Sequence, residues 1–168
     1  MAADLIQIVD AAMAEAVRRS GGWIACKPGC MECCIGHFPI SMEDAARLRA
    51  GLDELVLSAP ERAAAVRARA GQYIEDEDSE EPCPALDPST GTCDLYASRP
   101  LTCRMFGPAV SMGGGPMGVC ELCYHGASDE EIAACCVTID ITEAEGEPQT
   151  TVGQALACGG LQPTVVPD

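Results

Sequence analysis

Four cysteines lie within nine residues near the start of the chain, in the stretch ACKPGCMECCIG: Cys26, Cys30, Cys33 and Cys34. Thiolates are the ligands that zinc, cuprous copper and iron–sulfur clusters prefer. A turn at Pro28-Gly29 allows Cys26 and Cys30 to converge, and Cys30 and Cys33 have the spacing of a chelating pair. Four thiols this close are costly to leave unused, so the stretch predicts metal binding that is coupled to folding.

Cys33 and Cys34 are neighbours in the sequence, and adjacent side chains tend to point apart. We therefore do not expect both to bind the same single metal ion. One of them is left for a second ion, for a bridge between two metals, or for packing in the core. The stretch indicates more than one metal site, or a cluster.

The other eight cysteines fall into three groups. Cys83, Cys93 and Cys103 are spaced ten residues apart, and Cys120 and Cys123 form another C-x-x-C pair. The last three are interpreted as small buried hydrophobic residues: Cys135, Cys136 and Cys158. Two histidines follow cysteine pairs and are candidate nitrogen ligands: His37 and His125.

Length and composition favour one small globular domain over residues 1–168. The apolar fraction is 48%, but aromatic residues make up only 4%, so the core is light and would gain from a metal. We predict a small, irregular, α-rich, cysteine-rich metal-binding domain with minor β content. In this prediction a few helices and long loops surround a metal or cluster site, with the cysteine core at 23–125.

Hydrophobic periodicity and capping residues predict helices over 4–19, 42–52 and from Pro60 to near Tyr73, and a short helix within 128–137. The second and third helices are predicted to form an αα-hairpin, with Ala64, Val66 and Ala70 as contacts of the third. Residues 82–107 are predicted to be loops and turns, 108–119 a flexible loop, and 137–142 a short strand. One or two helical turns are expected after Thr151.

The net charge of −16 argues against nucleic acid as a partner, because phosphate binding requires concentrated Lys and Arg. All ten basic residues lie at or before Arg104. Residues 75–81 (EDEDSEE) are interpreted as a solvated acidic linker, and 138–168 as an acidic tail. The alternative is that the acidic run docks a basic protein partner.

The first twenty residues lack the features of a secretory signal, and no segment is apolar enough to span a membrane. We therefore expect a cytoplasmic protein without a membrane association. In a reducing compartment twelve cysteines favour metal or redox chemistry, with a disulfide framework as the alternative if the protein is exported.

The first motif, Cys26-x3-Cys30-x2-Cys33-Cys34, is followed by Cys93-x2-Tyr96-x2-Arg99-Pro100-x2-Cys103-Arg104-x-Phe106. Together the two motifs resemble the cysteine-cluster family of the YkgJ type, which is described as a zinc- or iron-chelating domain named for its CxxCxxCC motif. The resemblance runs from about Cys26 to Cys123, and departs from the family only in its first spacing, x3 instead of x2. It implies zinc or an iron–sulfur cluster, of the [4Fe–4S] type, bound by the first four cysteines with Cys83, Cys93, Cys103 and Cys120; Cys123 could replace Cys120.

Arg99 and Arg104 are the last two basic residues and flank Cys103. Four thiolates around Zn²⁺ or a [4Fe–4S]²⁺ core carry about two net negative charges. Arginines near the sulfurs would offset that charge and donate hydrogen bonds to the cofactor. The alternative is that both arginines pair with surface carboxylates.

Three functions are consistent with these features. The first is metal binding through thiolates for storage or delivery of zinc or an iron–sulfur cluster. The second is an iron-dependent redox or modification enzyme, or a subunit of one, which requires an open coordination position. The third is a structural zinc module that displays a surface for protein interaction. No phosphate-binding loop, dinucleotide fingerprint or serine-nucleophile elbow supports a different enzyme class.

Overall fold

The computed structural model describes residues 2–74, 76, 78–140 and 150–157. Within these ranges there are six α-helices: α1 (Ala2–Ser20), α2 (Met42–Ser58), α3 (Pro60–Gln72), α4 (Leu101–Arg104), α5 (Asp129–Cys135) and α6 (Val152–Ala157). The strands are short: β1 (Pro39–Ile40), β2 (Leu86–Asp87), β3 (Thr92–Cys93), β4 (Val110–Met112), β5 (Met117–Gly118), β6 (Val137–Ile139) and β7 (Thr150–Thr151). Single 3₁₀ turns cover Gly21–Trp23, Glu32–Cys34 and Tyr96–Ser98. An α-rich, cysteine-rich chain with minor β content is confirmed.

Contacts between Cα atoms divide the chain into two compact units. The first unit comprises Met1–Cys33 and Arg99–Glu147, and the second comprises Cys34–Ser98 and Pro148–Asp168. Each unit is therefore built from two separate parts of the sequence. A single domain over 1–168, with its core at 23–125, stays a prediction.

The first unit is organised by α1, which covers the predicted helix 4–19. Val9, Met13 and Ala16 recur on one helical face and are buried against Val110 and Ile139. The helix ends where Gly21 adopts a φ of +51°, a conformation that glycine takes without steric cost. This end of α1 leads directly into the first cysteine loop.

The prediction of a flexible loop over 108–119 is wrong. β4 and β5 form an antiparallel hairpin there, and β4 also pairs in parallel with β6, which gives the strand order β5-β4-β6. Gly113 and Gly114, with φ of +54° and +77°, occupy the turn between the strands, so they do not weaken the pairing. The predicted strand at 137–142 is confirmed for Val137–Ile139, and its last two residues lie outside the described ranges.

The second unit contains α2 and α3, which pack against each other as predicted for a helical hairpin. The Ser41 Oγ accepts a hydrogen bond from the Asp44 N–H and begins α2. The helix continues to Ser58 instead of ending near 52, because Leu55 extends its buried face. On α3, Val66 and Ala70 are buried as predicted, but Ala63 takes the place predicted for Ala64, which is exposed.

The helical turns expected after Thr151 are present as α6. Val152, Ala155 and Leu156 are buried in the same cluster as the inward faces of α2 and α3. β7, immediately before α6, pairs antiparallel with β1, and the Val152 N–H donates to the Phe38 carbonyl. These contacts position the segment that follows the first cysteine loop.

The acidic run at 75–81 is described except for residues 75 and 77. Its last residue accepts a hydrogen bond, since the Gly36 N–H donates to the Glu81 carbonyl at 2.9 Å. Ile35 then forms an isolated antiparallel bridge with Pro82. The linker role of the run stays a prediction, as does the acidic tail at 138–168, most of which lies outside the described residues. Within the described ranges, no helix combines the length and apolar character that crossing a membrane requires.

Replacing Gly51 by alanine tests the packing of α2 against the 3₁₀ turn that contains Ser98. An added Cβ at Gly51 would overlap the Ser98 Oγ and Cβ, so Gly51→Ala should lower the free energy of unfolding by about 1–3 kcal/mol. Gly71→Ala on α3 is the matched control, because its Cβ would meet nothing within 4 Å. The control should be stabilised by about 0.5–1 kcal/mol. Urea unfolding of both variants measures the difference, and equal effects would contradict the close packing at Gly51.

Candidate metal centre

The first cysteine loop turns back on itself at Pro28-Gly29, as the sequence predicts. The Cys30 N–H donates to the Lys27 carbonyl at 2.9 Å and closes the turn. Gly29 has a φ of +91°, which a residue with a side chain rarely adopts. The turn therefore brings Cys26 and Cys30 to the same side of the loop.

The thiols of this loop lie close to the later C-x-x-C pair. The pKa of the Cys26 thiol is raised first by partial desolvation, although the residue as a whole is exposed. It is raised further by four other thiols: Cys30, Cys33, Cys123 and Cys120. Charged groups affect one another in this way over distances up to the screening length, roughly 8–10 Å. Five of the predicted ligands, from two distant parts of the sequence, are thus neighbours in the first unit. We call them the five-thiol group.

Gly107 supports the meeting of these two segments. A Cβ built on Gly107 would lie 3.8 Å from the Cys26 Cβ, and the glycine has a φ of +118°. The Gly107 carbonyl accepts a hydrogen bond from the Cys120 N–H at 3.2 Å. One residue therefore contacts both halves of the five-thiol group.

Tyr124 holds the second C-x-x-C pair in place. Its side chain is buried, and its N–H donates to the Trp23 carbonyl at 2.9 Å. The phenol oxygen lies 2.5 Å from the Ser20 Oγ and accepts the Ala109 N–H at 2.9 Å. The Ser20 hydroxyl itself donates to the Ala16 carbonyl, so the phenol proton is directed to the Ser20 Oγ. Three chain segments are joined by this buried set of hydrogen bonds.

The backbone of Tyr124 is strained, since it is the one described residue other than glycine with a positive φ, at +61°. For a bulky residue such a conformation costs on the order of 1–3 kcal/mol. The hydrogen bonds of its phenol and N–H offset that cost. The sequence interpretation did not single out Tyr124, although its position directly after Cys123 was a signal that could have found it.

Cys103 and the two predicted arginines lie in the same unit. Cys103 is half-buried on α4, which packs against α1. The Arg104 side chain is 8% exposed; its Nη1 pairs with the Asp10 carboxylate at 2.8 Å and its Nε donates to the Arg99 carbonyl at 3.0 Å. The contact with Asp10 is a pairing with a carboxylate, which is the alternative that the sequence left open for these arginines. A role of Arg99 and Arg104 beside a metal centre stays a prediction.

The second unit contains the other three predicted ligands, Cys34, Cys83 and Cys93. The Cys83 N–H donates to the Cys34 carbonyl at 2.7 Å, which places these two residues side by side. Cys93 lies on β3 opposite Leu86 of β2, and the Leu86 N–H donates to the Cys83 carbonyl. Cys83 and Cys93 also pack against the core formed by α2, α3 and α6.

The β2–β3 connection is a tight turn, which lies within the segment 82–107 that the sequence predicts to be loops and turns. The Gly91 N–H donates to the Asp87 carbonyl at 2.8 Å, and the glycine has a φ of +67°. Hydrogen bonds from the Ser89 hydroxyl and backbone N–H hold the pKa of the Asp87 carboxyl below its ordinary value. The turn sets the register that places Cys93.

Arg69 of α3 anchors the residues next to both Cys83 and Cys93. Its Nε donates to the Pro84 carbonyl and its Nη2 to the Asp94 carboxylate, both at 2.8 Å. Arg62 donates to the other oxygen of Asp94, whose side chain is 3% exposed. The sequence interpretation missed this contact, because Arg69 is far from the cysteines in the chain and no local pattern marks it.

The remaining candidates include Cys135, which packs beside the five-thiol group, and Cys158, which lies outside the described residues. Cys135 is buried beside Ala109 and Cys123, which agrees with the interpretation as a small hydrophobic residue, and the Cys136 thiol contacts the Val137 carbonyl. His125 is exposed, and Cys158 lies outside the described ranges.

The five-thiol group offers the sulfur donors that zinc and iron–sulfur clusters prefer. A structural zinc ion takes four thiolates or imidazoles, and a [4Fe–4S] cluster takes four thiolates. The five-thiol group therefore fits either in the type and number of donors. Among the described residues, no group of three or more Cys, His, Asp or Glu side chains is arranged so that it could hold a metal ion, so the ligand set stays a prediction.

The helices, short sheet and converging thiol loops define a cysteine-rich domain with a soft donor set. The sequence matches the family described as "CxxCxxCC: Putative zinc- or iron-chelating domain" over residues 25–121, which is more than half of the chain. The chain belongs to this family, as the two motifs indicated. No curated protein and no solved structure gives a significant match.

Removing the Tyr124 hydroxyl tests whether it ties the thiol loops to α1. In Tyr124→Phe the buried Ala109 N–H loses its acceptor, so the free energy of unfolding should fall by about 1–3 kcal/mol. Because Ser20 and Tyr124 share one hydrogen bond, Ser20→Ala and Tyr124→Phe should be non-additive by at least about 0.5 kcal/mol. Urea unfolding of the two single variants and the double variant measures this coupling. Strict additivity would contradict the contact.

Proposed function

We propose that this chain is a metal-binding protein that holds zinc or an iron–sulfur cluster through cysteine thiolates. The observation that carries the proposal is that Gly107 joins two distant cysteine segments in the first unit: its Cβ position lies 3.8 Å from the Cys26 Cβ, and its carbonyl accepts the Cys120 N–H at 3.2 Å. Membership of a family described as zinc- or iron-chelating supports the same class of function. In this proposal thiols of the five-thiol group bind the metal directly, together with Cys103 of the same unit.

Zinc and an iron–sulfur cluster require the same protein ligands here. Thiolates are soft donors, and four of them around Zn²⁺ or a [4Fe–4S]²⁺ core leave about two net negative charges. The chain supplies the donors on loops closed by a backbone turn at Cys30 and by the Gly107 and Tyr124 contacts. When bound, the metal would join the two segments that carry these thiols.

Binding of this kind serves storage or delivery, which is the role we propose. Cys26 is exposed, whereas Cys123 is buried in the core next to Tyr124. An exposed ligand can be reached from outside, while buried ligands retain the metal and couple binding to folding. The group thus combines retention with access on one side.

Metal and sulfide analysis of anaerobically purified protein tests the proposal. A brown protein with iron and acid-labile sulfide in equal amounts indicates an iron–sulfur cluster, and a colourless protein with stoichiometric zinc indicates a zinc site. Either result supports thiolate metal binding. Protein that is folded but retains neither metal, and that does not take up zinc or a reconstituted cluster, would overturn it.

Serine variants test the ligand assignment. Cys30→Ser and Cys103→Ser should each lower the metal content and the solubility of the protein together, because metal binding and folding are coupled. Cys136→Ser is the matched control, since its thiol contacts the Val137 carbonyl and belongs to none of the predicted ligand groups. The two measurements are metal content per protein by elemental analysis and the fraction of the protein that stays soluble. An unchanged metal content in Cys30→Ser and Cys103→Ser would remove these residues from the site.

A further inference from the structure

Large apolar side chains are exposed on the thiol loops of the first unit. Met31 lies between Cys30 and Cys33 and is 42% exposed; Leu122 lies between Cys120 and Cys123 and is 41% exposed. A loop that turns its two cysteines toward one centre must direct the residues between them elsewhere. Each of the two chelating pairs thus presents one large apolar side chain to solvent.

Two further exposed apolar residues adjoin the same group. Phe106 is 45% exposed and directly precedes Gly107, and Val119 is 40% exposed and directly precedes Cys120. Those following residues, Gly107 and Cys120, are joined by a hydrogen bond, and Gly107 lies against Cys26. We call Met31, Phe106, Val119 and Leu122 the apolar rim. Exposed apolar groups that accumulate around one site are typical of interaction surfaces.

The charges beside the apolar rim are mainly negative. Glu32 and Glu121 are exposed and sit next to Met31 and Leu122, inside the same two chelating pairs. Lys27 is the exposed basic residue of the first loop. Arg19 and Arg104, elsewhere in this unit, pair with Glu15 and Asp10. A bound metal with four thiolates would add about two further negative charges.

We propose that the apolar rim is the docking surface for a protein partner that presents an apolar patch bordered by lysines and arginines. The inference rests on the proposed function, because it assigns the partner of that same site. Charge complementarity selects this partner: a basic border is attracted to Glu32, Glu121 and the thiolates, and the rim supplies the apolar contact. A second copy of this chain, with a net charge of −16, is repelled electrostatically.

Docking at this surface places the partner beside the exposed Cys26. It also covers the residues between the cysteines of both chelating pairs, and so shields the metal centre from water. Storage and delivery both require that a specific partner, and not bulk solvent, gains access to the metal. The apolar rim therefore determines which protein reaches the site.

A designed peptide is the probe for this surface. The peptide is a fluorescently labelled amphipathic helix with a leucine face bordered by lysines, titrated against metal-loaded protein. Met31→Ser/Leu122→Ser should weaken its binding about tenfold or more, as expected for apolar residues at the centre of an interface. The matched control is Leu57→Ser/Ile74→Ser, which removes two exposed apolar side chains of the second unit and should leave binding within about twofold.

Charge is tested with a second peptide in which glutamates replace the lysines. It should bind the wild-type protein at least about tenfold more weakly than the lysine peptide, and added salt should weaken the lysine peptide. Three results would each overturn the inference. The two peptides bind equally well, the rim and control variants lose the same peptide affinity, or the lysine peptide does not bind at all. If the Met31→Ser/Leu122→Ser variant does not fold, Phe106→Ser/Val119→Ser takes its place in these measurements.

Metal content, measured in every variant, separates this inference from the proposed function. If the protein has its full metal content but the rim variant binds the peptide as well as the control variant does, only the docking surface is refuted. A rim-dependent peptide affinity in protein that binds no metal refutes the proposed function alone. If the protein dimerises in sedimentation experiments and the rim variant does not, the surface belongs to a second copy and the inference is overturned. If the protein binds phosphatidylcholine vesicles and the rim variant does not, the surface belongs to a membrane and the inference is likewise overturned.

Discussion

The hydrogen-bonded contact of Tyr124 with Ser20 and Ala109 is the interaction on which the first unit depends. The cysteine loops contain almost no regular secondary structure, so their own backbone does not determine where the thiols lie. One buried phenol joins the end of α1, the segment before β4 and the residue after Cys123. Because these groups are buried, each lost hydrogen bond would leave an unsatisfied polar atom. The contact thus ties the segment that carries Cys120 and Cys123 to the end of α1, where the first cysteine loop begins.

In the second unit an ion pair between Arg69 and Asp94 holds the residues next to the cysteines in place. Arg69 reaches from α3 to the carbonyl of Pro84 and to the carboxylate of Asp94, the residues that follow Cys83 and Cys93. A planar guanidinium offers several donors in a fixed geometry, so one side chain can hold two loop positions at once. In both units a polar side chain forms hydrogen bonds between a helix and the residues beside the cysteines: Tyr124 bonds to Ser20 of α1, and Arg69 of α3 bonds to Pro84 and Asp94.

Local signals in the sequence were sufficient for the longer helices and for the turns. Ser41, Pro60 and the Ser128–Glu131 capping box mark helix starts that the structure contains, because a cap depends on residues within one turn. The hairpin at β4–β5 was missed because its stability comes from β6 and α1, which are distant in the chain. Composition alone suggested a flexible loop there, although the glycines occupy only the turn.

The sequence by itself determined the class of site: the spacing of the cysteines and their family motif indicate chelation of zinc or iron. It also predicted that adjacent Cys33 and Cys34 do not both bind the same single metal ion, which stays a prediction. Only the tertiary structure decided which distant thiols are neighbours, namely Cys120 and Cys123 with the first loop, and which polar residues hold them. Ligand type is a property of single residues, whereas proximity between distant segments depends on buried contacts that no local pattern encodes.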